Sequence, residues 1–316
     1  MNILLTSAGK RVSLVRYLQR ALKSRFPEAK VLTTDMDPDM APACYVSDGS
    51  FKAPRVTAAE YPQYLQKLCQ ENDVKMVIPT IDTELYVLTD LKESFSKQGI
   101  NVVVSDRPFI AVCRDKRNTG DFFKSHGIKV PKPVDKNNPV FPLFAKPYDG
   151  SLSSNVHYIH NAFELTGEIL YDPKLIFMEC IDKKIYKEFS VDIYYGRDSH
   201  VKCIIPRERI AVRAGEINKG RTVKNALVDF VLQHLGYIPG CVGCICGQFF
   251  YNPHNDDIIG IEINPRFGGG FPLSCEAGGD YTDYLVREYL LDETIEYNDS
   301  WTDNKLMLRY DDAIYV

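Results

Sequence analysis

Short apolar runs alternate with four-residue apolar spacings through the first third of the chain. Residues 3–5 are Ile-Leu-Leu, Leu14, Leu18 and Leu22 recur every fourth position, and residues 31–34 open a second apolar run. A four-residue recurrence lays side chains along one helix face, while a short apolar run suits a buried strand, so the pattern predicts strand, helix, strand. The rhythm continues with a helix over 61–69, a strand over 77–79, a helix over 85–95 and a strand over 102–104. Strands that alternate with helices build a parallel sheet, and the first third therefore predicts an α/β unit.

At Asp106, Arg107 and Pro108 the rhythm pauses, which places a boundary near 107–115. A helix over 115–126 follows, closed by Gly127. Two β-rich stretches come next: residues 143–146 and 156–159 flank a small-residue loop, and 176–179 and 189–195 flank a charged turn. The last part reads as a helix near 223–235, a hairpin over 245–263 that turns through Asn252, Pro253, His254 and Asn255, and a helix over 281–291. No internal repeat and no low-complexity segment interrupts this order.

Composition narrows the class without naming a chemistry. With 316 residues, 45% of them apolar, the chain is long enough for two or three packed units. Its 38 basic and 42 acidic residues leave a net charge of −4, so no global basic field exists to hold nucleic acid or an anionic membrane. Any bound anion must be gripped locally. Nine cysteines, an odd number scattered through apolar stretches, predict reduced thiols in a soluble cytoplasmic protein. No apolar run approaches the ~20 residues of a membrane span.

Several local patterns carry candidate chemistry. The turn Thr6-Ser7-Ala8-Gly9-Lys10-Arg11, with Asp35 closing the next strand, resembles a dinucleotide-binding turn but has one glycine where that fingerprint needs three. It reads equally as an anion-binding helix start with Arg11 nearby or as a plain tight turn. Lys146 ends a strand before a loop holding Gly150, Ser151 and Ser153, where an ammonium, backbone amides and hydroxyls can meet phosphate; a solvated lysine and surface loop fit the same residues.

On the strand 258–264, alternation predicts that Gly260, Glu262 and Asn264 share one face while Ile259, Ile261 and Ile263 enter the core. Gln248 on the partner strand can stand beside them. These oxygen donors suit Mg²⁺ completed by substrate phosphates, and Arg266 lies within reach of a terminal phosphate. A solvated strand face is the alternative. Residues 177–181 end an apolar strand whose backbone can meet an adenine edge, and Glu188, Ser190 and Asp192 share a face beyond it. The basic run Arg207, Arg209, Arg213, Lys219, Arg221 and Lys224 reads as a loop that holds a substrate carboxylate and a moving phosphoryl group, or as a solvated one. Cys241, Cys244 and Cys246 with His254 have no second Cys or His pair at zinc-finger spacing, which favours buried, inert thiols over zinc.

Taken in order, these motifs resemble the ATP-grasp superfamily, in its short carbamoyl-phosphate-synthase-large-subunit-like branch. The stretch Gly260-Ile261-Glu262-Ile263-Asn264-Pro265-Arg266-Phe267-Gly268-Gly269-Gly270 carries most of the likeness. Asp115-Lys116 at a helix start, Lys146 before its loop, residues 206–209, 213–216 and 219–220, and the ending Leu308-Arg309-Tyr310-Asp311-Asp312 support it. The resemblance implies a Rossmann-like pre-ATP-grasp α/β domain (1–112) and a two-lobed α+β ATP-grasp fold, its small lobe at 113–182 and its large, metal-bearing lobe at 183–316.

It also implies residue roles. Lys116 and Lys146 would contact ATP phosphates, residues 149–156 would close over them, Glu179 and the Ile181 backbone would recognise adenine, and Glu188 would hold the ribose. Gln248, Glu262 and Asn264 would bind Mg²⁺ or Mn²⁺, with Arg266 and Arg213 at the transferred phosphate. The implied activity is that of an ATP-dependent carboxylate-amine ligase that forms a carbon-nitrogen bond through an acyl phosphate and releases ADP and phosphate. A phosphotransferase and a non-catalytic nucleotide-binding module are the alternatives. Partners would be a small-molecule carboxylate and amine, with no nucleic acid and no membrane, and a homodimer is expected because related proteins are often dimers. The chain has room for one ATP-grasp half where carbamoyl phosphate synthase subunits carry two, which argues against carbamoyl phosphate synthesis itself.

Overall fold

The computed structural model describes residues 1–150 and 154–316. Its first part alternates β1 (Asn2–Leu5), α1 (Val12–Lys23), β2 (Val31–Asp35), α2 (Pro42–Val46), β3 (Gly49–Lys52), α3 (Tyr61–Glu71), β4 (Val74–Ile78), α4 (Leu85–Ser96) and β5 (Asn101–Val102). The five strands are parallel in the order β3-β2-β1-β4-β5. Ile3, Leu4, Leu5, Met76, Val77 and Ile78 are all buried, as strands covered by helices on both faces must be. α1 buries Leu14, Val15, Leu18, Ala21 and Leu22 on one stripe and ends on the cations Arg20 and Lys23, which suit the negative end of a helix. The sequence did not single out β3 or α2.

The pause at 106–108 leads directly into helical structure. Asp106 precedes a helix, α5 (Arg107–Arg114), and α6 (Lys116–Ser125) follows directly. α6, grouped by sequence with the small lobe, drives Phe123 against Phe249 of the large sheet, with ring centroids 5.7 Å apart. The small sheet itself is antiparallel, with order β7-β6-β8, built from β6 (Leu143–Pro147), β7 (His157–Ile159) and β8 (Leu175–Glu179), with α7 (Gly167–Tyr171) before the last strand. Its own core is small: Leu143, Ala145, Ile159, Leu175 and Phe177.

The large sheet follows as β9 (Lys187–Tyr195), β10 (Val201–Arg213), β11 (Glu216–Thr222), α8 (Leu227–Leu235), β12 (Gly243–Asn252), β13 (Asp257–Asn264), α9 (Phe271–Ala277), α10 (Tyr281–Leu290) and β14 (Leu306–Leu308). Its order is β13-β12-β9-β10-β11-β14, antiparallel throughout. The run expected as a basic loop is therefore a long hairpin, β10 and β11, which turns at Ala214 and Gly215 with φ of +50° and +76°. Only a turn with left-handed backbone connects strands so tightly.

One face of the large sheet packs on α6 and α8 through Phe123, Ile193, Leu227, Val231, Ile245 and Phe249. The opposite face is shared between two neighbours. Part of it joins α9, α10 and the parallel sheet in one continuous cluster that includes Ile3, Leu14, Leu18, Tyr194, Ile205, Cys244, Phe271 and Tyr281. The remainder faces the small sheet across a cavity.

Candidate active site

The cavity has a volume of about 400 Å³ and two chemically distinct ends. Pro131, Phe144, Val156 and Met178 form an apolar wall on the small-lobe side, faced by Phe250 and Ile261 of the large sheet. At its rim the chain leaves β8. The Glu179 N–H donates to the Lys132 carbonyl at 2.8 Å, and the Glu179 carboxylate accepts the Lys132 N–H at 2.9 Å. Glu179 is thus a strut that fixes this hinge. Just beyond it, among the described residues, the N–H and C=O of Ile181 have no backbone partner. An apolar slot beside an unpaired main-chain edge suits a flat heteroaromatic ring.

The polar end gathers charge from several elements. Asp115 caps α6 by accepting the Arg117 N–H at 2.9 Å, which sets Lys116 on the first turn. The Lys116 ammonium donates to the Gly150 carbonyl at 2.6 Å and lies 3.6 Å from Glu262. Lys146, on β6, is 8% exposed. Burial lowers its pKa from the ordinary lysine value, opposed by Glu262 and reinforced by Lys116. For Glu262, burial alone would raise the pKa, but Lys116 and Lys146 hold it below the usual carboxylate range. Asn264 Nδ2 donates to Glu262 at 3.1 Å. Arg266 donates to Asp82 at 2.8 Å and to Asn264 Oδ1 at 3.3 Å. Deeper in, Arg207 is 1% exposed and bonded to Asp192 at 2.6 Å.

Strand β13 reaches this arrangement by departing from simple alternation. Gln248 pairs with Glu262 and Phe249 with Gly260, which leaves Ile261 as an extra residue in a β-bulge. A bulge re-aims the side chains around it. Gly260 consequently turns away from Glu262: a Cβ built on it would lie 2.7 Å from Phe123, on the α6 face. Ile261 lines the cavity beside Glu262 and Asn264, whereas Ile259 and Ile263, the other two isoleucines expected inside, are buried.

The cavity brings together Lys116, Lys146, Gly150, Glu179, Ile181, Glu188, Gln248, Glu262, Asn264 and Arg266. Glu188 stands between Arg209 at 2.9 Å and Lys183 at 3.5 Å. Ser151 and Ser153 lie outside the described residues. Arg213 does not join the group. It does not line the cavity and is 65% exposed in an ion pair with Asp311. Of the zinc candidates, Cys241, Cys244 and Cys246 are buried, and His254 lies past the far end of β12. Among the described residues no group of three or more His, Cys, Asp or Glu is placed to hold a metal.

That last fact also tests the fit to Mg²⁺. The donors here are one carboxylate, Glu262, and two amides, Gln248 and Asn264, all oxygen-bearing and hard. They suit a Mg²⁺ that takes its other ligands from phosphates and water, and would be a poor cage for an ion held by protein alone. Sequence reasoning missed Asp82 and noted Glu216 only as part of the stretch 213–216, without a role. Asp82 follows the C-terminal end of β4, beside β1 where the strand order reverses, the place where ligands gather in open parallel sheets. Arg207 and Arg209 were visible as members of a basic run and of the stretch 206–209, without a role of their own; their two-residue spacing was the available signal for one strand face.

Comparison with known proteins agrees with this architecture. A family described as "PylC-like, N-terminal domain" matches residues 3–103, and one described as "ATP-grasp in the biosynthetic pathway with Ter operon" matches residues 171–309. The biotin carboxylase domain dimer of Hydrogenobacter thermophilus 2-oxoglutarate carboxylase, solved with MgADP, ADP and bicarbonate, superposes with a TM-score of 0.73 at 13% identity, over 96% of this chain and 73% of that one. Staphylococcus aureus N5-carboxyaminoimidazole synthetase complexed with ADP superposes with a TM-score of 0.70 at 18% identity, over 97% and 79%. Over residues 171–309 the chain is thus similar to an ATP-grasp family, and its fold is that of these solved enzymes. In sequence it is similar to the carbamoyl phosphate synthase large chain of Nostoc sp., 22% identical over 265 residues, 73% of this chain and 24% of that one. It thus spans about a quarter of the length of the curated relatives it matches. No helix among the described residues is long and apolar enough to cross a membrane.

Proposed function

We propose that this protein is an ATP-dependent carboxylate-amine ligase that activates a small-molecule carboxylate as its acyl phosphate. The observation that carries the reading is Glu262, flanked by Lys116 and Lys146 and joined through Asn264 to Arg266, at the polar end of an apolar slot. In this reading adenine lies between Met178 and Ile261 with its edge on the Ile181 backbone, and Glu188 meets the ribose. Lys116 and Lys146 hold the phosphates. Mg²⁺ bound through Glu262, Gln248 and Asn264 would neutralise phosphate charge.

A carboxylate oxygen of the substrate attacks the γ-phosphorus and ADP departs with the bonding pair. Arg266 stabilises charge on the moving phosphoryl group, held in aim by Asp82. The amine nitrogen then attacks the acyl carbon, phosphate leaves, and the amine proton passes to phosphate or solvent. Positioning and fixed charge supply most of the acceleration, so no dedicated base is needed. The domain limits 1–112, 113–182 and 183–316, a cytoplasmic setting and a homodimeric assembly belong to the same reading.

The test is an incubation with Mg-ATP and pooled carboxylates, with and without pooled amines, quantifying ADP, phosphate, AMP and new masses. ADP and phosphate that rise together only with both pools, alongside a dehydrated adduct, are the expected outcome. ADP with a stable phosphorylated compound would point to a phosphotransferase, and AMP with pyrophosphate would overturn the acyl-phosphate route.

A further inference from the structure

Beyond the nucleotide slot, a second concentration of charge lies on the seam between the parallel sheet and the turn Gly268–Gly270. Lys10 and Arg11 reach it from the loop after β1, Asp82 from the loop after β4, Glu216 from β11 and Arg309 from the segment after β14. Glu216 sits 3.1 Å from Arg309, 3.7 Å from Lys10 and 3.8 Å from Arg11. Asp82 is paired with Arg266. Four cations, Lys10, Arg11, Arg266 and Arg309, thus face two carboxylates.

The excess positive charge is also under-bonded. Among the described residues the Arg11 guanidinium makes no hydrogen bond, and its contact with Glu216 is an ion pair longer than hydrogen-bond distance. Arg266 Nε is buried without a partner, as are Nε and Nη1 of Arg207. Arg207 Nη1 lies directly against the glycine turn, only 1.9 Å from where a Gly270 Cβ would stand. Buried donors left unpaired in a cavity wall are costly unless something else completes them. Arg11 lines both the main cavity and a smaller one of about 40 Å³ shared with Lys10, Glu216 and Arg309. Its place, at the C-terminal edge of the parallel strands where β1 and β4 adjoin, is where such sheets receive ligands.

We propose that this seam is an anion subsite in which Arg11 anchors an oxyanion of the small-molecule substrate, a carboxylate or phosphate separate from the group being activated. Glu216 then acts as an internal stand-in that balances the cations until the substrate arrives. The word substrate rests on the ligase reading; the anion subsite rests on the geometry alone. The nucleotide phosphates do not explain it, because Lys116 and Lys146 converge on Glu262 whereas Lys10, Arg11 and Arg309 converge on Glu216. The specificity that follows is for substrates with at least two anionic groups, one of them read by the first domain.

The experiment uses the full chain. Mg-ADP affinity is measured first, and its absence would strike the ligase reading without touching the subsite, because the anion titration is run on both free and Mg-ADP-loaded protein. Sodium malonate and inorganic phosphate, each against chloride at matched ionic strength, are titrated by calorimetry into the wild type, Arg11→Gln, Arg11→Lys and Glu216→Gln. Binding of malonate, phosphate or both that weakens about tenfold in Arg11→Gln, less in Arg11→Lys, and strengthens in Glu216→Gln is the expected result. Malonate-selective binding assigns a carboxylate and phosphate-selective binding a phosphate. No anion-specific binding to the wild type, or binding that Arg11→Gln leaves unchanged, would overturn the proposal. Arg11 makes no side-chain hydrogen bond, so its variants should fold; melting temperatures verify this.

Discussion

Replacing Glu262 with Gln should have opposite effects on two kinds of nucleotide binding. Glu262 lies 3.6 Å from the Lys116 ammonium, with side-chain exposures of 22% and 12%. Two unit charges at that separation attract by about 4 to 5 kcal/mol at an effective dielectric constant of about 20. Solvent at the cavity mouth screens part of this, and keeping about a third leaves ~1.5 kcal/mol, close to a tenfold change in an equilibrium constant. In the free protein that attraction ties Lys116 to Glu262, and the same carboxylate repels an incoming triphosphate. Glu262→Gln removes both effects, so metal-free ATP should bind about tenfold more tightly than to the wild type. The enhancement conferred by Mg²⁺ should disappear, and Mg²⁺-dependent turnover with it. Titration of a fluorescent ATP analogue with EDTA and with Mg²⁺ separates the two. Metal-free affinity that falls or stays constant would refute the reasoning, because it would mean that Glu262 does not face the phosphates.

Lys146→Met should lower nucleotide affinity roughly ten- to a hundredfold, yet stabilise the nucleotide-free protein by up to about 1 kcal/mol, since a desolvated cation gives way to an apolar chain; denaturant melts and a binding titration check the pair. Because burial lowers the Lys146 pKa from 10.5, the unfolded state holds more protons between that lowered value and 10.5. The stability of the free protein should therefore rise with pH across this window, and the rise should shrink in the methionine variant. Gly260→Val forces a side chain onto Phe123 and should cost about 1 to 3 kcal/mol of stability by chemical denaturation. Arg213→Ala, on an exposed pair, should change stability by no more than about 0.5 kcal/mol and leave ATP turnover near wild type; a large loss of kcat would place that guanidinium in the chemistry after all.

The parallel sheet was legible because its strands are buried on both faces and its helices carry an unbroken apolar stripe, as in Leu14, Leu18 and Leu22. Strand β3, with alternating exposure in Gly49–Lys52, is polar enough to read as loop, and α2 is too short to show a period. The hairpin of β10 and β11 escaped notice for a different reason. Its cations looked like loop residues, but Arg207 is paid for by Asp192 from the neighbouring strand, and no local pattern announces a partner 15 residues away. Glu262 and Asn264 were found by alternation even though alternation fails one residue earlier, at the Ile261 bulge. Asp82 was invisible because its partner, Arg266, is 184 residues distant, and only the strand order brings the two together.

The continuous apolar cluster that includes Ile3, Leu14, Phe271 and Tyr281 separates the unit of inheritance from the unit of folding. Two family descriptions divide the chain, one ending at residue 103 and the other beginning at 171, as though separate modules had been joined. The cluster ignores that division: Leu14 and Leu18 belong to the same buried core as Tyr194 and Leu285. An excised first segment would present that half-core to water, and the remainder would present its complement. Recombination that exchanged the first segment for one from a distant homologue would need compensating changes on α9 and α10, so the loop after β1 can diversify by point substitution far more readily than by domain shuffling.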